Sequence, residues 1–158
     1  MYAVIETPLG RMRIEAENRA VERVFLTEEE LLPPEGETLW QAAKQLQEYF
    51  AGERTKFELP IRLKGTAFQL AAWQTLMRIP YGESVTYGCQ AEMMGNSKAC
   101  RAVGGANHKN PILIIVPCHR VVAADGVGGF ACGTEKKEYL LAMEREYAVL
   151  KKGRNAGE

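Results

Sequence analysis

The sequence predicts an α/β domain at the N-terminus, followed by a mainly α-helical domain. In the first 26 residues, apolar and polar side chains alternate in three short segments, which is typical of half-buried strands. From residue 66 onward, the apolar residues follow helical spacing instead. The charge also changes sign, since residues 1–60 carry 7 basic and 12 acidic residues and residues 61–158 carry 13 and 8. We therefore expect domains at 1–62 and 63–150 and a flexible tail at 151–158.

The first domain is predicted to be a β-meander covered by one helix. Residues 2–8, 11–17 and 21–26 are the expected strands, and short turns separate them. Thr38 and Gln41 fit a capping box, and apolar residues follow at helical spacing from Leu39 until Gly52 ends the helix. Residues 57–61 are a candidate for one further strand.

The second domain is predicted to begin with three helices. Thr66 and Gln69 form another capping-box pattern and open a helix that stops before Pro80. Thr86 can cap a short helix that ends at Gly95, and Asn96-Ser97 can cap the next helix, to about residue 107. Two short helices joined by a tight turn that contains glycine suggest a helix-turn-helix.

The remaining residues predict one buried strand and one long helix. The apolar run Ile112–Val116 has the character of a fully buried strand, and Pro117 limits the backbone immediately after it. Thr134 begins an amphipathic helix that is expected to run to about Tyr147.

Composition excludes several classes of function. No apolar run approaches the roughly 18–20 residues that span a bilayer, and the first residues lack the basic region of a secretory signal, so we expect a cytoplasmic protein without membrane contact. The four cysteines show no CxxC spacing and only two histidines accompany them, so we predict no bound metal. Asp125 is the only aspartate, which disfavours magnesium chemistry based on clustered aspartates.

A thiol, an imidazole and a guanidinium follow one another in the motif Pro117-Cys118-His119-Arg120-Val121. The thiolate is the nucleophilic form of cysteine, and a neighbouring imidazole or cation is expected to lower the thiol pKa from its usual value of about 8.5. Cys118 is therefore a candidate nucleophile. The alternative is that Cys118 acts only as a small buried hydrophobic residue.

An acidic residue interrupts the apolar stripe of the last helix. Glu144 lies four residues after Leu140 and three after Leu141, which places it on the face directed at the core. A buried carboxylate needs a partner, and His119 or Arg120 is the natural candidate. The pattern then suggests a relay from Glu144 through the histidine to Cys118, unless Glu144 lies at the edge of the stripe and reaches water.

Several motifs together closely resemble those of the O6-alkylguanine-DNA alkyltransferases. They occur in order over about residues 65–147: Tyr81-Gly82-Glu83, Thr86-Tyr87, the small-residue run Arg101–Ala106, Asn110-Pro111, Pro117–Val121 and the helix that contains Glu144. Thr7-Pro8-Leu9-Gly10 is a weaker match to the family's N-terminal domain. The resemblance implies an N-terminal α/β domain of the ribonuclease-H-like type and a C-terminal domain of the winged-helix type.

The resemblance also implies roles for individual residues. Cys118 would accept the alkyl group, activated through a water by His119, which Glu144 polarises. Tyr87 would donate a hydrogen bond to the departing guanine, and Asn110 would brace the site against the helix-turn-helix.

Further residues would bind DNA or form the substrate pocket. Arg101 would enter the base stack in place of a flipped nucleotide, while Ala102 and Gly104 would let the recognition helix lie in the minor groove. Thr86 and Asn96 would contact phosphates at helix N-termini. The substrate pocket would be lined by Leu113, Val121, Phe130 and Ala131.

The function that follows is the repair of O6-alkylguanine in double-stranded DNA, with O4-alkylthymine as a candidate second substrate, by a monomer that needs no cofactor and acts once. One alternative is a damage sensor that flips and binds the base without transfer, but the branch of the family that does so replaces the acceptor cysteine. A second alternative, a cysteine hydrolase, is disfavoured because adjacent Cys118 and His119 cannot easily point at each other. The chain departs from the family at Phe130 and Cys132, where members commonly have Tyr and Gly, and at Leu113, where some members have Pro.

Overall fold

The computed structural model describes residues 1–156, with side chains as far as Lys152. It divides into two compact units. The first comprises Met1–Lys64 together with Pro111–Ile115, and the second comprises Gly65–Asn110 together with the chain from Val116 onward. Pro111–Ile115 thus groups with the first unit, although we predicted one continuous second domain.

The first unit contains the predicted β-meander. Strands β1 (Tyr2–Thr7), β2 (Gly10–Glu17) and β3 (Ala20–Leu26) form an antiparallel sheet in that order. The turn between β2 and β3 has Asn18 and Arg19 at φ values of 47° and 64°. Positive φ at both central residues is the geometry that matches a two-residue hairpin turn to the twist of its strands. The three predicted strands are confirmed, and no end differs from the prediction by more than one residue.

Helix α1 (Glu37–Phe50) covers this sheet with its apolar face, including the fully buried Leu46 and Tyr49. The helix starts after Gly36 and has no side-chain cap, so the predicted capping box at Thr38 is wrong. Thr38 lies in the first helical turn, where its backbone is already helical. The predicted strand at residues 57–61 does not form, because only Ile61 pairs with β3, in a single bridge at Val21.

The apolar segment from Pro111 to Ile115 is buried, but it does not form the predicted strand. The amide of Val24 in β3 donates to Pro111 O (2.9 Å), and the amide of Leu113 donates to Val24 O (3.0 Å). The amide of Ile115 then donates to Leu113 O at 2.8 Å around Ile114, whose φ is 71°. This is a γ-turn with positive φ, a strained conformation for a β-branched residue. The apolar character of residues 112–116 is therefore explained by their burial. The γ-turn at Ile114 ends the pairing of this segment with strand β3.

The second unit is mainly helical. Its helices are α2 (Ala67–Leu76), α3 (Tyr87–Met93), α4 (Cys100–His108) and α5 (Thr134–Ala156), and two-residue strands β4 (Val85–Thr86) and β5 (Val121–Val122) form a parallel pair. The predicted tail from residue 151 is helical as far as Ala156, and the last two residues lie outside the described part. Within that part, no helix combines the length and apolar character needed to cross a membrane.

The helix starts test the predicted caps. The capping box at Thr66 is confirmed, and Thr86 Oγ1 accepts from the amide of Cys89 at 3.1 Å, as predicted. The predicted cap at Asn96-Ser97 is wrong, because α4 starts after Ala99 without a side-chain cap. Asn96 Oδ1 instead accepts from the amide of Lys98 (3.2 Å) in the connecting turn.

Buried polar contacts join the first three helices of this unit. The side-chain amides of Gln90 in α3 and Asn107 in α4 donate to each other at 3.1 and 2.7 Å. Gln90 also donates to Ala72 O in α2 (3.2 Å), and the Trp73 indole donates to Ala106 O (2.9 Å). These directional bonds fix α4 relative to α2 and α3.

Candidate active site

Two short backbone features bring the predicted site residues together. In the parallel pair, Val85 lies opposite Val121 and Thr86 opposite Val122, so the start of α3 lies beside the 3₁₀ turn Cys118–Arg120. Pro117, with φ −83° and ψ 66°, forms an inverse γ-turn in which the amide of Cys118 donates to Val116 O at 2.9 Å. The motif Pro117–Val121, which we predicted to end a strand, therefore forms a tight turn at Pro117 followed by the 3₁₀ turn Cys118–Arg120.

Cys118 is held as a neutral thiol in the resting protein. Cys118 is 6% exposed, and burial raises the pKa of its thiol to about 11. A hydrogen bond from Asn110 lowers this pKa, but by less than burial raises it. The Asn110 amide also donates to Val116 O at 2.7 Å. The expectation that neighbouring groups would lower this pKa is wrong, because desolvation disfavours the thiolate more than those groups favour it.

Glu144 is buried at the centre of a polar cluster. Its carboxylate contacts His119 Nε2 at 2.5 Å, accepts from Arg120 Nε at 2.8 Å and Nη2 at 3.2 Å, and accepts from the amide of Gly82 at 3.2 Å. Burial alone would raise the pKa of Glu144, but the bonds and charges of His119 and Arg120 lower it to about 2. Both predicted partners of this buried acid are therefore confirmed.

The ionised carboxylate decides which nitrogen of His119 carries the proton. Burial lowers the pKa of His119, so the ring is neutral at pH 7, although Glu144 acts against this shift. A carboxylate only accepts hydrogen bonds, so Nε2 must carry the hydrogen. The other ring nitrogen, Nδ1, then has a free lone pair, and it has no hydrogen-bond partner among the described residues. His119 is thus arranged as a base at Nδ1.

Tyr87 and Lys137 contact each other near Cys118. Tyr87 opens α3, and burial, followed by the effect of Cys118, raises its pKa, so its hydroxyl stays protonated as a donor. Lys137 is fully buried, and its ammonium lies 3.0 Å from Gly129 O and 3.4 Å from the Tyr87 hydroxyl. Lys137 is not among the predicted site residues, although it lies seven residues before Glu144 on the same helical stripe.

A small cavity of about 70 Å³ lies against Cys118. Its walls are Tyr87, Gly104, Asn107, His108, Cys118, Gly129, Phe130 and Ala131. The predicted pocket residues Phe130 and Ala131 therefore do line it. Two other predicted pocket residues do not: Val121 is fully buried in β5, and Leu113 is buried in the segment that belongs to the first unit.

A wider groove of about 920 Å³ is lined by α4 and the loop that precedes α5, and Tyr87 and Gly104 face both this groove and the small cavity. Its walls include Tyr87, Lys98, Cys100, Arg101, Gly104, Ala123, Gly128 and Gly129. Arg101 and Ala102 are exposed on α4. Thr86 is half-buried at the start of α3, whereas Asn96 is exposed in a turn and not at a helix N-terminus, which corrects its predicted placement. In the described residues, no group of three His, Cys, Asp or Glu side chains is arranged to hold a metal ion.

Comparisons with known proteins match the same protein family over nearly the whole chain. Residues 1–63 match the family model described as 6-O-methylguanine DNA methyltransferase, ribonuclease-like domain, and residues 67–146 match that family's DNA binding domain. The constitutive methylated-DNA-protein-cysteine methyltransferase of Bacillus subtilis is 46% identical, over 91% of this chain and 94% of its own. A Methanosarcina acetivorans methyltransferase of the same name is 42% identical, over 90% and 97%. A crystal structure of Mycobacterium tuberculosis OGT in complex with DNA superposes with a TM-score of 0.85 at 39% identity, covering 92% of this chain and 93% of that one.

Proposed function

The chain belongs to the 6-O-methylguanine DNA methyltransferase family, and we propose that it repairs O6-alkylguanine in double-stranded DNA by transferring the alkyl group to its own Cys118. The observation that carries this assignment is the position of the Cys118 thiol. It lies on the wall of a small cavity, next in sequence to a histidine that Glu144 holds in the form of a base.

The proposed reaction begins with removal of the thiol proton. His119 Nδ1 takes this proton through a water, as the family resemblance implies, and the resulting imidazolium is stabilised by the carboxylate of Glu144. The thiolate sulfur then attacks the alkyl carbon. A carbon–sulfur bond forms while the bond from carbon to O6 breaks, and the electron pair of that bond stays with guanine. In the net reaction, one alkyl group moves from oxygen to sulfur and one proton moves from the thiol to guanine.

Guanine leaves more easily when its developing negative charge meets a hydrogen-bond donor. We assign this role to Tyr87, whose raised pKa keeps its hydroxyl protonated and whose ring lines the same cavity as Cys118. The product is a thioether, which His119 and Glu144 have no means to cleave. Each protein molecule is therefore expected to act once.

DNA is proposed to bind through the groove of α4. We infer that α3 and α4 act as the helix-turn-helix of a winged-helix domain, with Arg101 filling the space of the extruded nucleotide. Gly105 supports a close approach, since a Cβ placed there would meet no protein atom within 4 Å. Thr86 remains a proposed phosphate contact at the N-terminus of α3. For Asn96 that contact loses the support of a helix N-terminus.

We further propose that the protein acts as a monomer in the cytoplasm. All of the proposed catalytic groups come from one chain, and its four cysteines are free, as is usual in a reducing compartment. The damage-sensor alternative is not supported, because the full-length relatives are named methyltransferases and this chain retains Cys118.

The test is intact-mass measurement after incubation with duplex DNA that contains O6-methylguanine. We expect one added methyl group per protein molecule, on the peptide that contains Cys118. Cys118→Ala should abolish transfer and keep DNA binding. Cys89→Ala, which removes a half-buried thiol that lines neither the cavity nor the groove, should still accept one methyl group. Repeated turnover, or a methyl group on another cysteine, would contradict the assignment.

A further inference from the structure

Lys137 places a charged ammonium in the protein interior, where charged groups are rare. The residue is fully buried, yet its ammonium has only two hydrogen-bond acceptors among the described residues, Gly129 O and the Tyr87 hydroxyl. None of the carboxylates in the described part of the chain forms an ion pair with it. An apolar side chain would fill such a position at lower free-energy cost, so the retained charge calls for a chemical explanation.

The two acceptors of Lys137 belong to the wall around the reacting thiol. Tyr87 and Gly129 both line the small cavity with Cys118, and the ammonium also lies 5.5 Å from the centre of the Tyr87 ring. The ring packs tightly against the neighbouring backbone, since a Cβ on Gly128 would come within 3.0 Å of the ring and the hydroxyl of Tyr87. Lys137 thus helps to fix the phenol in one orientation.

The ammonium also acts on the thiol itself. Burial raises the pKa of Cys118, and the positive charge of Lys137 acts against this increase. Burial lowers the pKa of Lys137 to about 8, and the charge interaction with Cys118 partly offsets this decrease. The titratable groups that face Lys137 are Tyr87 from α3 and Cys118 and His119 from the 3₁₀ turn. At pH 7 the ammonium is therefore protonated.

We propose that Lys137 is a positioning residue for the transfer reaction, which holds the Tyr87 hydroxyl toward the leaving base and stabilises the Cys118 thiolate by its charge. Lys137 donates to the hydroxyl oxygen, so the hydroxyl keeps its own hydrogen for donation. That hydrogen is now given to Gly129 O at 3.4 Å, and it can turn from this long bond to the substrate. The same charge offsets the negative charge that appears on sulfur when His119 takes the proton. This inference rests on the proposed function.

The experiment compares Lys137→Met, Lys137→Arg and, as a matched control, Lys136→Met. Methionine has a similar length and needs no hydrogen-bond partner, so the fold is expected to persist, which thermal unfolding would verify. Single-turnover transfer from methylated duplex DNA should be about 10-fold slower in Lys137→Met at saturating protein, with an unchanged half-saturating concentration. Lys136→Met, which removes the same charge one residue away, should match the wild type.

A second measurement separates the charge from a purely structural role. Iodoacetamide reacts with the thiolate, so its rate at Cys118, followed by peptide mass spectrometry at pH 7, reports the thiolate fraction. We expect this rate to fall about 10-fold in Lys137→Met and to remain near the wild-type value in Lys137→Arg.

Two outcomes would overturn the inference. One is equal transfer and iodoacetamide rates in Lys137→Met and the wild type. The other is slower transfer in both Lys137 variants with no change in the iodoacetamide rate, which would indicate packing alone. Failure of the proposed function would look different, because the wild-type protein itself would then transfer no methyl group to Cys118.

Discussion

Replacing Cys118 by alanine should change how the stability of the protein depends on pH. Cys118 is 6% exposed, and burial raises the pKa of its thiol from the usual value of about 8.5–9 to about 11. The folded protein therefore keeps this proton at pH values where the unfolded chain has already lost it. Below pH 9 the thiol is protonated in both states and adds no pH dependence.

The size of the effect follows from this difference in pKa. A folded-state pKa that lies above the unfolded value means that stability is fully present below pH 9 and is lost as the pH rises to 11. Each pH unit of difference corresponds to roughly 1.4 kcal/mol, so the wild type should lose about 3 kcal/mol from this group alone. Since domains are stable by about 5–15 kcal/mol, this loss is large enough to measure.

The assay is urea denaturation of the wild type and Cys118→Ala between pH 8 and 11. Titrating groups distant from Cys118 are common to both proteins, so the difference between their unfolding free energies reports the thiol together with its coupling to Tyr87 and Lys137. We expect this difference to be nearly constant up to about pH 8.5 and then to change by about 2 kcal/mol in favour of the variant by pH 11, approaching about 3 kcal/mol at higher pH. Cys100→Ala, which removes an exposed thiol, serves as the control. If the difference stays constant through pH 11, the buried thiol is not held protonated and the reasoning fails.

Two further predictions concern DNA engagement and packing. Arg101→Ala should slow the repair of duplex DNA at least about 10-fold more than it slows the reaction with alkylated free guanine. The reason is that only the duplex requires base extrusion, which costs a few kcal/mol. Equal losses on the two substrates would place Arg101 in the chemical step. Gly82→Ala should destabilise the protein by about 2–5 kcal/mol in urea denaturation, since Gly82 has a φ of 80° and a Cβ there would lie 2.7 Å from the Cβ of Ala148. Ala148→Gly should relieve the contact part of this loss, and strictly additive effects of the two changes would show that no clash exists.

Local patterns predicted some helix caps correctly and others wrongly. The capping box at Thr66 and the cap at Thr86 both depend on bonds within three residues, and both are present. The patterns at Thr38 and Asn96 contain suitable residue types, but the helices start elsewhere. A cap motif shows that a helix start is possible, while packing decides which residue begins the helix.

The apolar run before Cys118 shows a different limit of sequence reasoning. Its composition correctly indicates burial, yet Ile114 adopts a positive φ in a γ-turn and the segment groups with the first unit. A hydrophobic run predicts that its side chains are buried. It does not predict which strand the segment pairs with or where that pairing ends. For the same reason, the sequence placed Leu113 and Val121 in a pocket that they do not line.

The sequence by itself determined the two-part α/β and α-helical organisation and the family, and it predicted the candidate reacting groups. Cys118 and His119 are adjacent in the chain, and Glu144 is recognisable as an acid in an apolar stripe, so short-range order is enough to find them. Only the tertiary structure decided the direction of the Cys118 pKa shift, the proton position on His119 and the approach of Lys137 to Tyr87. The physical reason is that desolvation and charge interactions sum over every group packed around a site, and those groups come from distant parts of the chain.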